Sequence, residues 1–167
     1  MVKLRATQKV LRRLPGVADP AAASDTALGD WFVNRVVADR QPLLLLVSAL
    51  SLLPVVIRAK SVATLPDRLP ALVGERLLNL GIPGRLIQAE VGAMSPVIVT
   101  RTVDRSVLGI MVDFAKALPY YPSLVEEAAL WKIEALLEET PCFAGKKDED
   151  VVFPIRKTHE LLHRRWG

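Results

Sequence analysis

The chain has 167 residues, 51% hydrophobic and 5% aromatic, with a formal charge of +4 and a pI near 9.5. That length suits one domain with a real core, and the mild basicity alone selects no partner. Cys142 stands alone, which excludes an internal disulfide and favours a reducing compartment, with the cytoplasm as the expectation. A secretory signal needs an apolar stretch near the start, and MVKLRATQKVLRRLPG has none; it is Arg-rich and acid-free, a weak match to a transit peptide.

In chain order, residues 2–6 (VKLRA) alternate well enough for a short strand. Thr7 can cap a helix over 8–14, with Val10, Leu11 and Leu14 on one face and Pro15-Gly16 as the stop. Residues 17–27 (VADPAAASDTA) are small and polar and read as a flexible loop. Trp31 to Val37 is β-branched and aromatic, a strand.

The run PLLLLVSALSLLPVVI (42–57) holds no charge and can be a buried strand pair, a core helix or a short membrane span. A spanning helix needs roughly 20 apolar residues. A helix here would also be apolar all round, with no face to choose. Two strands over 43–47 and 52–57, reversed at Ala49-Leu50-Ser51, fit better, and both should be central and helix-covered.

From Thr64 the period turns helical: Leu65, Leu69, Leu72, Val73, Arg76, Leu77 and Leu80 follow a 3.6 repeat, with Arg68, Glu75 and Arg76 at its edge or facing water. Pro70 suggests that the helix proper begins near it. Pro83 starts a second helix that ends by Pro96, and 97–103 is the clearest strand. A helix capped by Asp104 or Ser106 follows, with Val107, Leu108, Met111, Val112, Ala115 and Leu118 inward. Pro119-Tyr120-Tyr121-Pro122 breaks it and leaves an exposed corner. Ser123 caps the next helix, reaching about Glu139, with Leu124, Ala128, Trp131, Ala135 and Leu136 inward. A charged loop, 145–150, leads into a last basic helix from Pro154, so that 145–167 forms a basic C-terminal extension. The expectation is a single α+β domain with a largely antiparallel sheet of about five strands and helices mainly on one face.

The cations lie unevenly. Lys3, Arg5, Lys9, Arg12 and Arg13 precede the first acid, Asp19, and Arg156, Lys157, Arg164 and Arg165 crowd the far end. If the ends meet they form one positive patch; otherwise they are two solvated helix faces. Arg105 sits at a strand-to-helix junction, where an Arg can bind phosphate or carboxylate; the alternative is that Ser106 caps the helix and Arg105 pairs with Asp30 or Asp113. His159-Glu160-Leu161-Leu162-His163 matches the zinc-protease pattern of two His four apart with Glu as base. Only four residues follow it, so the usual downstream ligand is missing, and an amphipathic helix with Leu161 and Leu162 inward explains it without metal. Cys142 with either His could make a nucleophile pair, but nothing in the spacing demands it, and a half-buried structural Cys is the expected reading. No cofactor motif is present: there is no Gly-rich phosphate loop and no CxxC.

TVDRSVLGIMVDF (102–114) resembles the signature of a family of small, uncharacterised bacterial proteins, close to Asn-Arg-Ser-Val-Leu-Gly-Ser-Met-Asn-Asp-Phe. Leu28-Gly29-Asp30-Trp31-Phe32-Val33-Asn34, Thr7-Gln8-Lys9-Val10-Leu11, the Leu-rich run and Glu139-Thr140-Pro141-Cys142 resemble further stretches of it, over roughly 2–145. The resemblance implies a strand pair in the Leu-rich run and a bacterial cytoplasmic protein, and it supplies no activity. Asp104, Ile110 and Val112 depart from the polar Asn and Ser of the pattern.

The function expected first is a non-enzymatic binding or regulatory module whose basic terminal helices contact an anionic partner, nucleic acid or an acidic protein, with Arg105, Ser106, Asp113, Asp30, Lys9 and Arg12 as the candidate binding residues. The second is a small enzyme using Arg105, Asp113 and Asp30, or the terminal HELLH with His159, His163 and Glu160. The third is an oligomeric interaction protein.

Overall fold

The Leu-rich run folds back on itself. The computed structural model describes residues 1–120, 129–143 and 151–167, and in it Gln41–Ser48 (β3) pairs antiparallel with Pro54–Arg58 (β4). The reversal is tight: Leu52 takes φ 60°, and the buried Ser48 and Ser51 hydroxyls lie 2.6 Å apart. Ser48 Oγ also accepts the Leu53 N–H at 3.2 Å, so the two serines of an apolar run bond each other and the backbone on the buried side of a turn whose tip, Leu50, is exposed. Val2–Ala6 (β1), Trp31–Ala38 (β2) and Val97–Arg101 (β5) complete a sheet of order β4-β3-β2-β1-β5. β1 runs parallel to both β2 and β5, and the remaining pairs are antiparallel.

Alternation sorts the strands into two cores. Leu4, Trp31, Val33, Leu44, Leu46 and Val55 face Gln8–Leu11 (α1), Leu65–Asn79 (α2), Gly84–Ala93 (α3) and Pro154–Trp166 (α6). Phe32, Leu43, Leu45, Val47 and Val56 face Arg105–Ala117 (α4) and Leu130–Glu138 (α5). Being covered on both sides, β3 carries leucine at successive positions rather than every second one. The fold is α+β, with most of the described helices on the first face. A short sheet pairs Cys142–Phe143 (β6) with Val151–Val152 (β7). Among the described residues no helix is long and apolar enough to cross a membrane.

Three helices differ from expectation. α2 starts at Leu65, with Pro66 in its first turn and Pro70 inside it, not near Pro70. Pro70 forfeits one backbone bond, which the complete burial of Leu65, Leu69, Val73 and Leu77 outweighs. α4 buries Val107, Ile110, Met111 and Phe114, and leaves Val112 half exposed. α5 turns Trp131, Ala135 and Leu136 outward and buries Ile133, Leu137 and the two carboxylates Glu134 and Glu138. Tyr121-Pro122, the Ser123 cap with Leu124 and Ala128, and the charged loop 145–150 lie outside the described residues.

Glu90 of α3 is fully buried and accepts three N–H groups: Ala27 and Leu28 at 2.7 and 3.0 Å, and the Trp166 indole at 2.7 Å. One carboxylate thus fastens the start of the Leu-Gly-Asp-Trp segment and the last helix to α3. Gly29 needs its φ of +74°, and a Cβ there would meet Leu50 at 2.8 Å. The 17–27 segment is hydrogen-bonded at both ends, Ala18 N–H to Val99 O and Asp25 N–H to Met1 O.

Candidate anion-binding surface

Arg105, Ser106, Asp113 and Asp30 are not brought together. Asp104 is the α4 N-cap, accepting the Ser106 and Val107 N–H groups, and Ser106 Oγ donates to the same oxygen at 2.6 Å. That hydroxyl bond, the largest cause, holds the Asp104 carboxyl below its ordinary value. Ser106 therefore supports the cap rather than being it, and Arg105 stands exposed beside it. Asp30 is taken by Arg5 and by the Ser24 hydroxyl, not by Arg105. Asp113 is exposed on the far part of α4, 3.7 Å from Lys116. Lys9 and Arg12 are exposed on and just beyond α1.

In HELLH, Leu161 and Leu162 are buried in the first core, as expected, while Glu160 and His163 are exposed and His159 partly so. The His159 and His163 rings stack with centroids 6.3 Å apart, and His163 Nδ1 lies 2.9 Å from His159 O. Glu160 is held by Lys157 at 2.8 Å, whose hydrogen bond lowers its pKa. Among the described residues no three His, Cys, Asp or Glu side chains gather as a metal site. Cys142 packs in the second core, whereas α6 packs on the first, so the sheet separates the thiol from both histidines. Burial, with Asp113 as a smaller cause, pushes the thiol up to about 11, far from a thiolate.

The two basic termini lie at opposite ends of β1. Arg165 acts on Asp25, which pairs with the N-terminal ammonium at 2.8 Å, whereas α1 follows the carboxyl end of the strand. Five residues of strand, about 16 Å, separate them. Strand direction assembles a different surface. β1, β2, β4 and β5 all finish at one end of the sheet, and β3 begins there. Lys9, Arg12 and Arg13 leave β1 at that end, and the β2–β3 turn adds Arg40. Arg58 and Lys60 follow from β4, and the Arg68 guanidinium donates to Lys60 O and Ser61 O at 3.2 and 3.3 Å. β5 brings Arg101 and then Arg105. The acids on these segments are Asp39, Asp67 and Asp104, the last already committed to its cap.

A second polar cluster lies over the outer edge of β4. Arg76 is 4% exposed; its Nε donates to Pro54 O at 3.0 Å and lies 3.3 Å from Glu134 Oε2, and its Nη2 binds Glu138. Glu134 Oε1 accepts the Val56 N–H at 2.8 Å. An Arg from one face and two Glu from the other thus supply the partners that an outer strand lacks. Burial, against the opposing pull of Arg76, raises the Glu134 pKa to about 7. Apolar periodicity missed this cluster because its inward residues are charged.

The motifs that carry the family resemblance are structural: Leu28, Trp31, Val107, Met111 and Phe114 are core, and Gly29 and Asp30 shape the entry to β2. A family model described as a domain of unknown function (DUF6933) matches residues 3–157, and the chain belongs to that family. No curated protein and no solved structure matches the chain.

Proposed function

We propose that this DUF6933 member is a non-enzymatic binding module whose basic sheet end contacts the phosphate backbone of a nucleic acid. The observation that supports it is the convergence of cations from α1, the β2–β3 turn, the 58–68 segment and the end of β5 at one end of the sheet. Charges spread over several segments suit a partner that presents anions at regular spacing, as a duplex backbone does. Among the residues named for this surface there is no aromatic side chain, so the contacts go to phosphates rather than to stacked bases. Binding is then largely independent of sequence. A small enzyme would need Arg105, Asp113 and Asp30 around one cavity, and those three do not share one.

The test is retention of labelled duplex and single-stranded DNA and RNA by the purified chain. The expected result is binding at low salt whose logarithm falls linearly and steeply with the logarithm of salt. No retention at low salt, together with capture of a polyacidic protein, would replace the nucleic acid by an acidic protein.

A further inference from the structure

We infer that Arg35 is the residue that receives a phosphate group inside this surface, an inference that rests on the function proposed above. Among the described residues, Arg5, Arg35 and Arg76 are arginines of the sheet and helices that the fold partly or wholly buries. Arg5 is matched by Asp30, and Arg76 by Glu134 and Glu138. Arg35 is not matched. Its Nε is buried with no hydrogen-bond acceptor among the described residues, and it takes part in none of the ion pairs found among them.

Its surroundings follow from register. β1 stops at Ala6, opposite Val33, so β2 continues past it with one side unpaired. The chain turns there into α1, which packs against β2; Thr7 N–H bonds Val33 O at 3.1 Å and Thr7 Oγ1 donates to Asn34 Oδ1 at 2.8 Å. Arg35, one residue further, shares the first face with Val33 and lies across from the fully buried Leu44. The segment laid beside it, residues 7–16, carries cations and no acid. Arg35 is half-buried with its Nε enclosed, and the segment beside it brings cations and no anion to the rest of its guanidinium. A phosphate suits this guanidinium, because its two outer nitrogens, which are not among the enclosed unpartnered atoms, form a planar pair that can donate to two phosphate oxygens.

Binding of labelled duplex DNA, followed by fluorescence anisotropy across salt, tests this with the full chain, Arg35→Ala and Arg35→Lys. Arg35→Ala should bind about tenfold more weakly, with a salt slope shallower by about one and a melting temperature equal to or above the parent's. Arg35→Lys should fall between, since it keeps the charge and loses the fork. Parent-like affinity and slope in Arg35→Ala would overturn the role of Arg35 and leave the proposed function standing. A parent chain that binds no duplex at low salt overturns both. Competition by poly-glutamate that vanishes in Arg35→Ala would make the anion a carboxylate and remove the phosphate assignment.

Discussion

An Arg76→Ala variant is expected to lose about 3–5 kcal/mol of stability, the cost of taking one partner out of a buried ion cluster. For a chain of this length that lowers the melting temperature by roughly 10 °C. The loss has two sources. Glu134 and Glu138, both buried, are left facing each other without a cation, and the Pro54 carbonyl loses its donor. Removing a charge at the same time should recover part of it, so Arg76→Ala with Glu134→Gln should be less destabilised than the single costs add up to. Denaturant unfolding of the two singles and the double measures that coupling. A melting temperature for Arg76→Ala within a degree or two of the parent would mean that the cluster does not hold α2 and α5 to the edge of β4.

The same cluster sets a pH dependence with an unusual sign for a carboxyl group. The Glu134 pKa rises from an ordinary 4.5 to about 7 in the folded chain, chiefly because burial disfavours the carboxylate. Facing it are Arg76 and Glu75 from α2, Glu138 from its own helix and the Val56 N–H of β4. Between these two values the folded chain holds a proton that the unfolded chain has released. Stability from this group is therefore fully present below pH about 4.5 and lost as pH rises through about 7, by roughly 3 kcal/mol in all. Asp104, whose pKa is lowered, acts the other way, its contribution being lost as pH falls. Comparing the parent with Glu134→Gln across that window isolates Glu134: the parent-minus-variant difference should slope downward with pH. A flat difference would place the Glu134 pKa near its ordinary value.

The parts of the fold that follow apolar spacing were legible in the sequence. The Leu-rich run, apolar but for Ser48 and Ser51, fits a buried strand pair better than a helix or a span, and β3 and β4 are that pair. α3 and β5 likewise lie close to where Pro83, Pro96 and the Val-Ile-Val run put them. The failures come from charged side chains used inside. Glu134 and Glu138 made α5 look as though its Trp131 and Leu136 side were the buried one, since a carboxylate is normally read as facing water. Arg76 on α2 falls within the apolar repeat, yet its charge made it read as an edge or water-facing residue rather than a buried one. Pro70 pointed to a late start because local propensity cannot weigh the burial of Leu65 and Leu69 against one missing bond.

The candidate surface was half legible. Lys9, Arg12 and Arg105 stand out in the sequence as basic residues at element starts, but which cations share an end depends on strand direction. That direction is fixed only when β1 pairs parallel with both β2 and β5. The sequence left open whether the two basic termini meet; the topology sets them at opposite ends of β1 and joins the first terminus to the middle of the chain. Arg35 gave no sign at all, because a lone Arg in a strand is ordinary until its missing partner is seen.

The most direct measurement is the salt dependence of duplex binding by two charge-removal variants, Lys9/Arg12/Arg13→Ala at the basic sheet end and Arg164/Arg165→Ala at the opposite one. The first should bind more weakly, with a slope shallower by about 0.9 for each phosphate that the protein no longer neutralises, and the second should match the parent. Unchanged binding in the first variant, with the weakening falling instead on the Arg164/Arg165 variant, would contradict the account.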